Sequence, residues 1–248
     1  MLFDTNFLLP SFAQQFNIDF FRRLKLNHKA IELQKELGFG KNLILLLGVS
    51  GGGRDTVLEE CLELINKSER IRRISTRQPR NGIKEGERMM FLVKKDFLEG
   101  FETKNIFFAG HYHVNNEFYG INCKEIRKIK NKKNIYFIEN TLIGLSLKKA
   151  FPKSRLIILI PPSFKFLKKR LLIRNDRDCL KRFRNSCLEV KNIISNIKEM
   201  VECNIVDLAF INMNSKNTAS EIVEFLNNPG SINELKERFL KQIKNYEE

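Results

Sequence analysis

The sequence predicts a three-layer α/β fold built on a mostly parallel central sheet, and two observations carry that expectation. Leu43-Ile44-Leu45-Leu46-Leu47 is a continuous apolar run that leads into Gly48-Val49-Ser50-Gly51-Gly52-Gly53 and then a helical pattern. Such a run is what a strand buried on both faces looks like. Further short apolar runs then alternate with amphipathic stretches, as parallel strands joined by right-handed crossover helices require. At 248 residues, 42% hydrophobic and 10% aromatic, the chain is long and apolar enough to bury a core and too apolar for disorder.

Taken in order, residues 1–23 are rich in Phe and carry no clear period. From Asn27 to Leu37 the apolar residues Ala30, Ile31, Leu33 and Leu37 fall at helical spacing, and Gly38 sits where a helix-ending glycine belongs. After the glycine-rich loop, Val57 to Ile65 repeats the helical pattern. Asn134–Ile138 and Arg155–Ile160 read as buried strands, followed by helices from Ser163 to Leu172 and from Leu180 to Cys203. Leu208–Ile211 is a last strand and Ala219–Leu226 a helix. Ser231-Ile232-Asn233-Glu234 has capping-box spacing and opens an amphipathic C-terminal helix, set off by Pro229-Gly230. The expected organisation is therefore an N-terminal extension over 1–40, partly helical, one domain over 41–228, and a C-terminal helix over 229–248.

The formal net charge of +15 would suit a nucleic-acid-binding protein. It is not spread evenly, however: the stretch from Lys124 to Lys191 holds 20 basic and 5 acidic residues, and the remainder balances. The run Lys128-Ile129-Lys130-Asn131-Lys132-Lys133 reads as a solvated loop. The five cysteines form no C-x-x-C pair, no apolar run is long enough to span a membrane, and Met1-Leu2-Phe3-Asp4 lacks the basic start of a secretion signal. A cytoplasmic location is expected, with a small-molecule phosphate acceptor as the partner rather than a nucleic acid or a membrane.

The strand, glycine loop and helix together give the glycines a chemical reading. Gly48-Val49-Ser50-Gly51-Gly52-Gly53-Arg54-Asp55-Thr56 has the spacing of a P-loop, G-x-x-x-x-G-K-[S/T], with Arg54 for the lysine and Asp55 for the hydroxyl residue. Glycines let backbone N–H groups cradle phosphate oxygens, and the helix behind adds its dipole. Arg54 keeps the positive charge on a bulkier, planar group. The Asp55 carboxylate could hold Mg²⁺ directly or through water.

Further along, Ser75-Thr76-Arg77-Gln78-Pro79-Arg80-Asn81-Gly82, Phe118-Tyr119-Gly120, Pro161-Pro162-Ser163, Leu167-Lys168-Lys169-Arg170-Leu171 with Arg174, Lys181-Arg182 and Ile211-Asn212 follow in sequence. In that order they resemble the guanylate-kinase-like branch of the P-loop kinases over about residues 41–228. The resemblance implies a P-loop NTPase fold with acceptor-binding and lid subregions, and ATP and Mg²⁺ as cofactors. It implies that Arg77, Arg80 and Tyr119 hold the acceptor phosphate. Arg170, Arg174 and Arg182 would close on the transferring group from the lid, and Asn212 would lie near the adenine. Phosphoryl transfer needs charge neutralisation and alignment more than covalent help, which suits this set.

Several positions depart from guanylate kinases: Arg73 for a serine, Met89 for a tyrosine, Gly110 for the base-reading glutamate, Ile121 for a hydroxyl residue, and Glu139-Asn140-Thr141 for an Asp-x-Asp. The Arg174–Arg182 segment is also shorter than the family's lid. Asp55, the Arg73-Ile74-Ser75-Thr76-Arg77 segment and Tyr112-His113-Val114-Asn115 are closer to a sister group, the ribose 1,5-bisphosphate phosphokinases. The expectation drawn is phosphoryl transfer to a ribose 1,5-bisphosphate-type acceptor, with GMP as the alternative acceptor and a catalytically impaired binding module as the rival class. Arg54 and the loop residues Gly48, Ser50, Gly51, Gly52, Gly53 and Thr56 would bind ATP, Asp55 and Glu139 would organise Mg²⁺, and Arg73 and His113 would line the acceptor site.

Overall fold

The computed structural model describes residues 17–23, 28–79, 85–103, 105–112, 116–131, 133–138, 144–173, 179–244 and 246. Among the described residues two short helices come first, α1 (Ile18–Arg23) and α2 (His28–Glu36). Gly38 follows with φ +66°, the left-handed helix-ending conformation that its position predicts. Then come β1 (Leu43–Gly48), α3 (Arg54–Leu64), β2 (Ser68–Arg70) and β3 (Arg73–Ser75). The middle of the chain gives α4 (Glu85–Arg88), β4 (Met89–Phe91), α5 (Lys94–Glu102), β5 (Ile106–Tyr112), β6 (Glu117–Asn122), α6 (Cys123–Ile126) and β7 (Ile135–Ile138). It ends with α7 (Gly144–Ala150), β8 (Arg155–Ile160), α8 (Phe164–Ile173), α9 (Cys179–Glu202), β9 (Leu208–Ile211), α10 (Ser215–Asn227) and α11 (Ile232–Ile243).

The central sheet runs β2-β7-β1-β8-β9, and every pair in it is parallel. Alternation along β1 creates the three layers. Leu43, Leu45 and Leu47 enter one core with Leu147, Val190, Ile193 and Met200, whereas Ile44 and Leu46 enter the other with Val57, Leu58, Ile222 and Phe225. Helices α7 and α9 therefore cover one face, and α3 and α10 the other. A second sheet, β4-β3-β6-β5, packs around Ile74, Phe97 and Ile106. Its β3–β6 and β5–β6 pairs are antiparallel, and the register of the latter shifts between Phe107 and Gly110.

The two sheets are tied where β2 passes into β3. The Glu125 carboxylate accepts from the Arg72 amide at 3.2 Å and guanidinium at 3.0 Å, and from Lys128 Nζ at 3.0 Å. Burial opposes ionisation of Glu125, but those hydrogen bonds outweigh it and hold the carboxyl below its ordinary range. Lys128 thus belongs to a structural ion cluster.

The C-terminal helix α11 is part of the body. Phe239 is buried in the first core, Leu235 packs against the second, and Arg238 pairs with Glu221. Beyond it, the Tyr246 hydroxyl donates to the Pro161 carbonyl at 2.8 Å and its ring meets Phe164 edge-on at 6.2 Å. Tyr246 is thereby fixed against the start of α8. No described helix is long and apolar enough to cross a membrane.

Candidate active site

The glycine loop leaves the C-terminal end of β1 and enters α3, where ligands sit in open parallel sheets. Three consecutive loop carbonyls are held from outside. Ser186 Oγ on α9 donates to Ser50 O at 3.3 Å, Arg170 Nη1 on α8 to Gly51 O at 3.3 Å, and Asn212 Nδ2 after β9 to Gly52 O at 2.9 Å. A peptide's N–H points opposite its C=O, so carbonyls fixed outward turn the following amides the other way, which is the basis of an anion nest. The Gly52 amide braces the turn itself by donating to Val49 O at 3.0 Å.

Asn212 is the hub of this arrangement. It is fully buried, its Oδ1 accepts from Thr218 Oγ1 at 3.2 Å, and its amide donates to Ile160 O at 2.8 Å. Gly53 must be glycine here. Its φ is +89°, and a Cβ would stand 2.5 Å from Asn212 Nδ2 and 2.7 Å from Arg170 Nη1. A Cβ on Gly51 would likewise lie 2.8 Å from Leu167, so the loop is seated directly on α8. The residues present thus fit a bound polyphosphate.

The Arg54 side chain lies 3.3 Å from the space a Gly48 Cβ would take, so its stem folds back along the loop. Facing it from α9 is Glu189, a buried carboxyl on the same helix as Ser186. Burial pushes Glu189 up to about 7, with the positive charge of Arg54 pulling the other way. Asp55 points at arginines: Arg70 Nη1 stands 3.2 Å and Arg88 Nη1 3.8 Å from its Oδ1. The other arm of Arg88 pairs with Glu59.

On the acceptor side, Arg77 lies over the Phe91 ring at 5.1 Å and donates to Gln78 O at 2.9 Å. Tyr119 on β6 is the direct partner of Ser75 on β3, which brings it beside Arg77. Arg73 sits in register with Met89 and Ile121. Met89 and Ile121 are both buried, filling core at positions where the resemblance would put base-reading polar groups. Arg170, besides holding Gly51, stacks over Phe166 at 4.3 Å, and Arg182 lies in the first turn of α9. Arg80, His113, Glu139 and Arg174 lie outside the described residues.

Sequence reasoning missed Ser186, Glu189, Arg70 and Arg88. A serine and a glutamate inside a long helix carry no motif, and the two arginines matter only because folding brings them to Asp55. Among the described residues no group of three His, Cys, Asp or Glu side chains could hold a metal. Asp55 is engaged by two arginines, and Glu139, the other residue expected at Mg²⁺, lies outside the described residues. The described cysteines are all free, and burial pushes the Cys61 thiol up to about 12, far from the reactive range.

A parallel sheet with a seated glycine loop, and a second sheet whose β3 leads into Arg77 and whose β6 carries Tyr119, define the fold of a P-loop kinase. The guanylate kinase family model matches residues 40–227, and the chain belongs to that family. It is 30% identical to guanylate kinase from Prochlorococcus marinus (strain MIT 9312) over 192 residues, 75% of this chain and 97% of the relative. It is 27% identical to guanylate kinase from Clostridium acetobutylicum over 179 residues, 70% and 83% of the two chains. The crystal structure of guanylate kinase from Anaplasma phagocytophilum shares the fold, with a TM-score of 0.55 at 22% identity over 75% of this chain and 84% of that one.

These findings overturn the expectation of a ribose 1,5-bisphosphate acceptor, because the family model and the relatives are those of guanylate kinase. The physical reason for the misreading is visible at Asp55. That residue pointed to the sister group as a loop motif, yet its carboxylate has a local purpose, balancing Arg70 and Arg88. The first three residues of the Arg73–Arg77 segment are likewise an ordinary strand of the second sheet, with Ile74 facing its core.

Proposed function

We propose that this protein is a guanylate kinase, transferring the γ-phosphoryl group of ATP to GMP and releasing ADP and GDP. A GMP phosphate oxygen attacks the γ-phosphorus, the bond from that phosphorus to the β–γ bridging oxygen breaks, and the electron pair leaves with ADP. The observation that carries the reading is the loop whose Ser50, Gly51 and Gly52 carbonyls are each pinned from behind. Its amides, with Arg54 alongside, hold the β- and γ-phosphates, and Thr56 and Asn212 complete the nucleotide side. Arg77, Arg80 and Tyr119 hold the GMP phosphate, with Arg73 and His113 lining that side. Arg170, Arg174 and Arg182 surround the transferring group with positive charge. Mg²⁺ bound to the phosphates of ATP would supply charge neutralisation there.

Arg77 gives the direct test on the acceptor side. Calorimetry with GMP in the absence of ATP should register binding that Arg77→Ala weakens by about tenfold or more, the worth of one charge-assisted hydrogen bond to phosphate. ATP affinity should be unchanged, because Arg77 follows β3 of the second sheet, whereas the phosphate loop leaves β1 of the central one. Equal loss on both sides, or no GMP binding by the natural protein, would contradict the assignment.

A further inference from the structure

Asp55 and Glu59 are one turn apart on α3, so both present their carboxylates on the same face of the helix. Two arginines meet them there. Arg70 closes β2 of the central sheet, and its side chain is only 11% exposed. Arg88 ends α4 and leads into β4 of the second sheet; it reaches both Asp55 and Glu59. The cluster therefore balances two positive against two negative charges. It also joins three separate pieces of chain at the first turn after the phosphate loop.

The donors of these arginines are not all satisfied. Arg70 Nη2 and Arg88 Nε are buried without a hydrogen-bond acceptor. Both guanidinium contacts fall on Asp55 Oδ1, and the hydrogen bond of the buried Arg70 among the described residues is to that oxygen. Turning Oδ1 away from the arginines would strand a buried guanidinium, which is costly.

We infer that Asp55 is an ionic anchor rather than a metal ligand: through Arg88 it holds the β4 edge of the acceptor sheet against the phosphate-loop helix. Asp55 and Arg88 are thus positioning residues. They act on the acceptor through the placement of the sheet that carries Arg77 and Tyr119, and this inference rests on the guanylate kinase reading for what that sheet binds. The pairs are partly exposed, so each contributes modestly, and their coupling is the diagnostic property.

Three variants test it: Asp55→Asn, Arg88→Gln and the double replacement, with Arg88→Lys as a milder alternative should Arg88→Gln fail to fold. GMP affinity without ATP or Mg²⁺ should fall about fivefold in each single variant, and the double variant should lose no more than either. Amide hydrogen exchange at Met89–Phe91 should speed up in all three, while the Mg²⁺ concentration for half-maximal turnover stays within about twofold of the natural protein. A tenfold rise in that Mg²⁺ requirement, with GMP affinity and exchange unchanged, would overturn the anchor and make Asp55 a metal ligand. Fully additive losses in the double variant would overturn it as well. Hydrogen exchange needs no acceptor, so it still reads the anchor if the natural protein fails to bind GMP, a result that would count against the function reading alone.

Discussion

Replacing Gly53 with alanine is expected to lower kcat/KM with ATP and GMP by about 100-fold, read by a coupled assay for ADP. The effect is steric and local. At φ +89° an L-residue is strained by roughly 1–2 kcal/mol before any neighbour is considered. The added Cβ then meets Arg170, whose long side chain can swing aside, and Asn212, which cannot. Asn212 is fully buried and held by Gly52 O, Thr218 and Ile160. Displacing it frees the Gly52 carbonyl, and that peptide loses the orientation that turns its Gly53 amide toward a phosphate. Gly86→Ala is the control, since a Cβ there meets nothing within 4 Å. Equal activity of both variants would mean that the loop's carbonyl pins do not set its geometry.

The second large effect is on stability and depends on pH. The Glu189 carboxyl has an ordinary value of 4.5 and is pushed up to about 7 by burial, against the pull of Arg54. Below pH 4.5 the group is protonated whether the chain is folded or not. Between 4.5 and 7 the unfolded chain releases the proton while the folded one keeps it, so stability drains away as pH rises. Above 7 the loss is complete, at roughly 3 kcal/mol. Glu189→Gln carries no proton to lose. Urea unfolding should therefore show the variant gaining on the natural protein from pH 5 to pH 8, by up to about 3 kcal/mol. Parallel stability curves across that range would show that Glu189 does not titrate as described.

Four of the five strands of the central sheet were legible because they are largely buried and read as apolar runs, as Leu43–Leu47 and Leu156–Ile160 do; β2, Ser68–Arg70, has no such run. The helix Cys179–Glu202 was legible because Val190, Ile193, Ile197, Met200 and Val201 keep helical spacing along its buried face. The second sheet was not. Its strands β3 and β4 are three residues long, too short to show a period, and they depend on pairing with β6 and each other. The helix start at Ser215 was placed late, because the Asn214 side chain that caps it also reads as a turn residue.

The candidate site divides in the same way. The loop and Asn212 form a motif in sequence and a hydrogen-bonded unit in space. Ser186 and Glu189 are ordinary helix residues until packing sets them against the loop. Asp55 misled because a motif position was read without its tertiary partners, Arg70 and Arg88. The C-terminal helix was expected to stand apart, yet Phe239 belongs to the main core.

The most direct measurement is turnover with ATP and Mg²⁺, with products resolved by chromatography and GMP, AMP, CMP and UMP offered separately. The account predicts GDP and ADP in equal amounts from GMP, with kcat/KM higher for GMP than for the other acceptors. Absence of GDP formation by a protein whose melting temperature still rises with ATP would contradict it, leaving a guanylate-kinase-like fold that binds nucleotide without transferring phosphate.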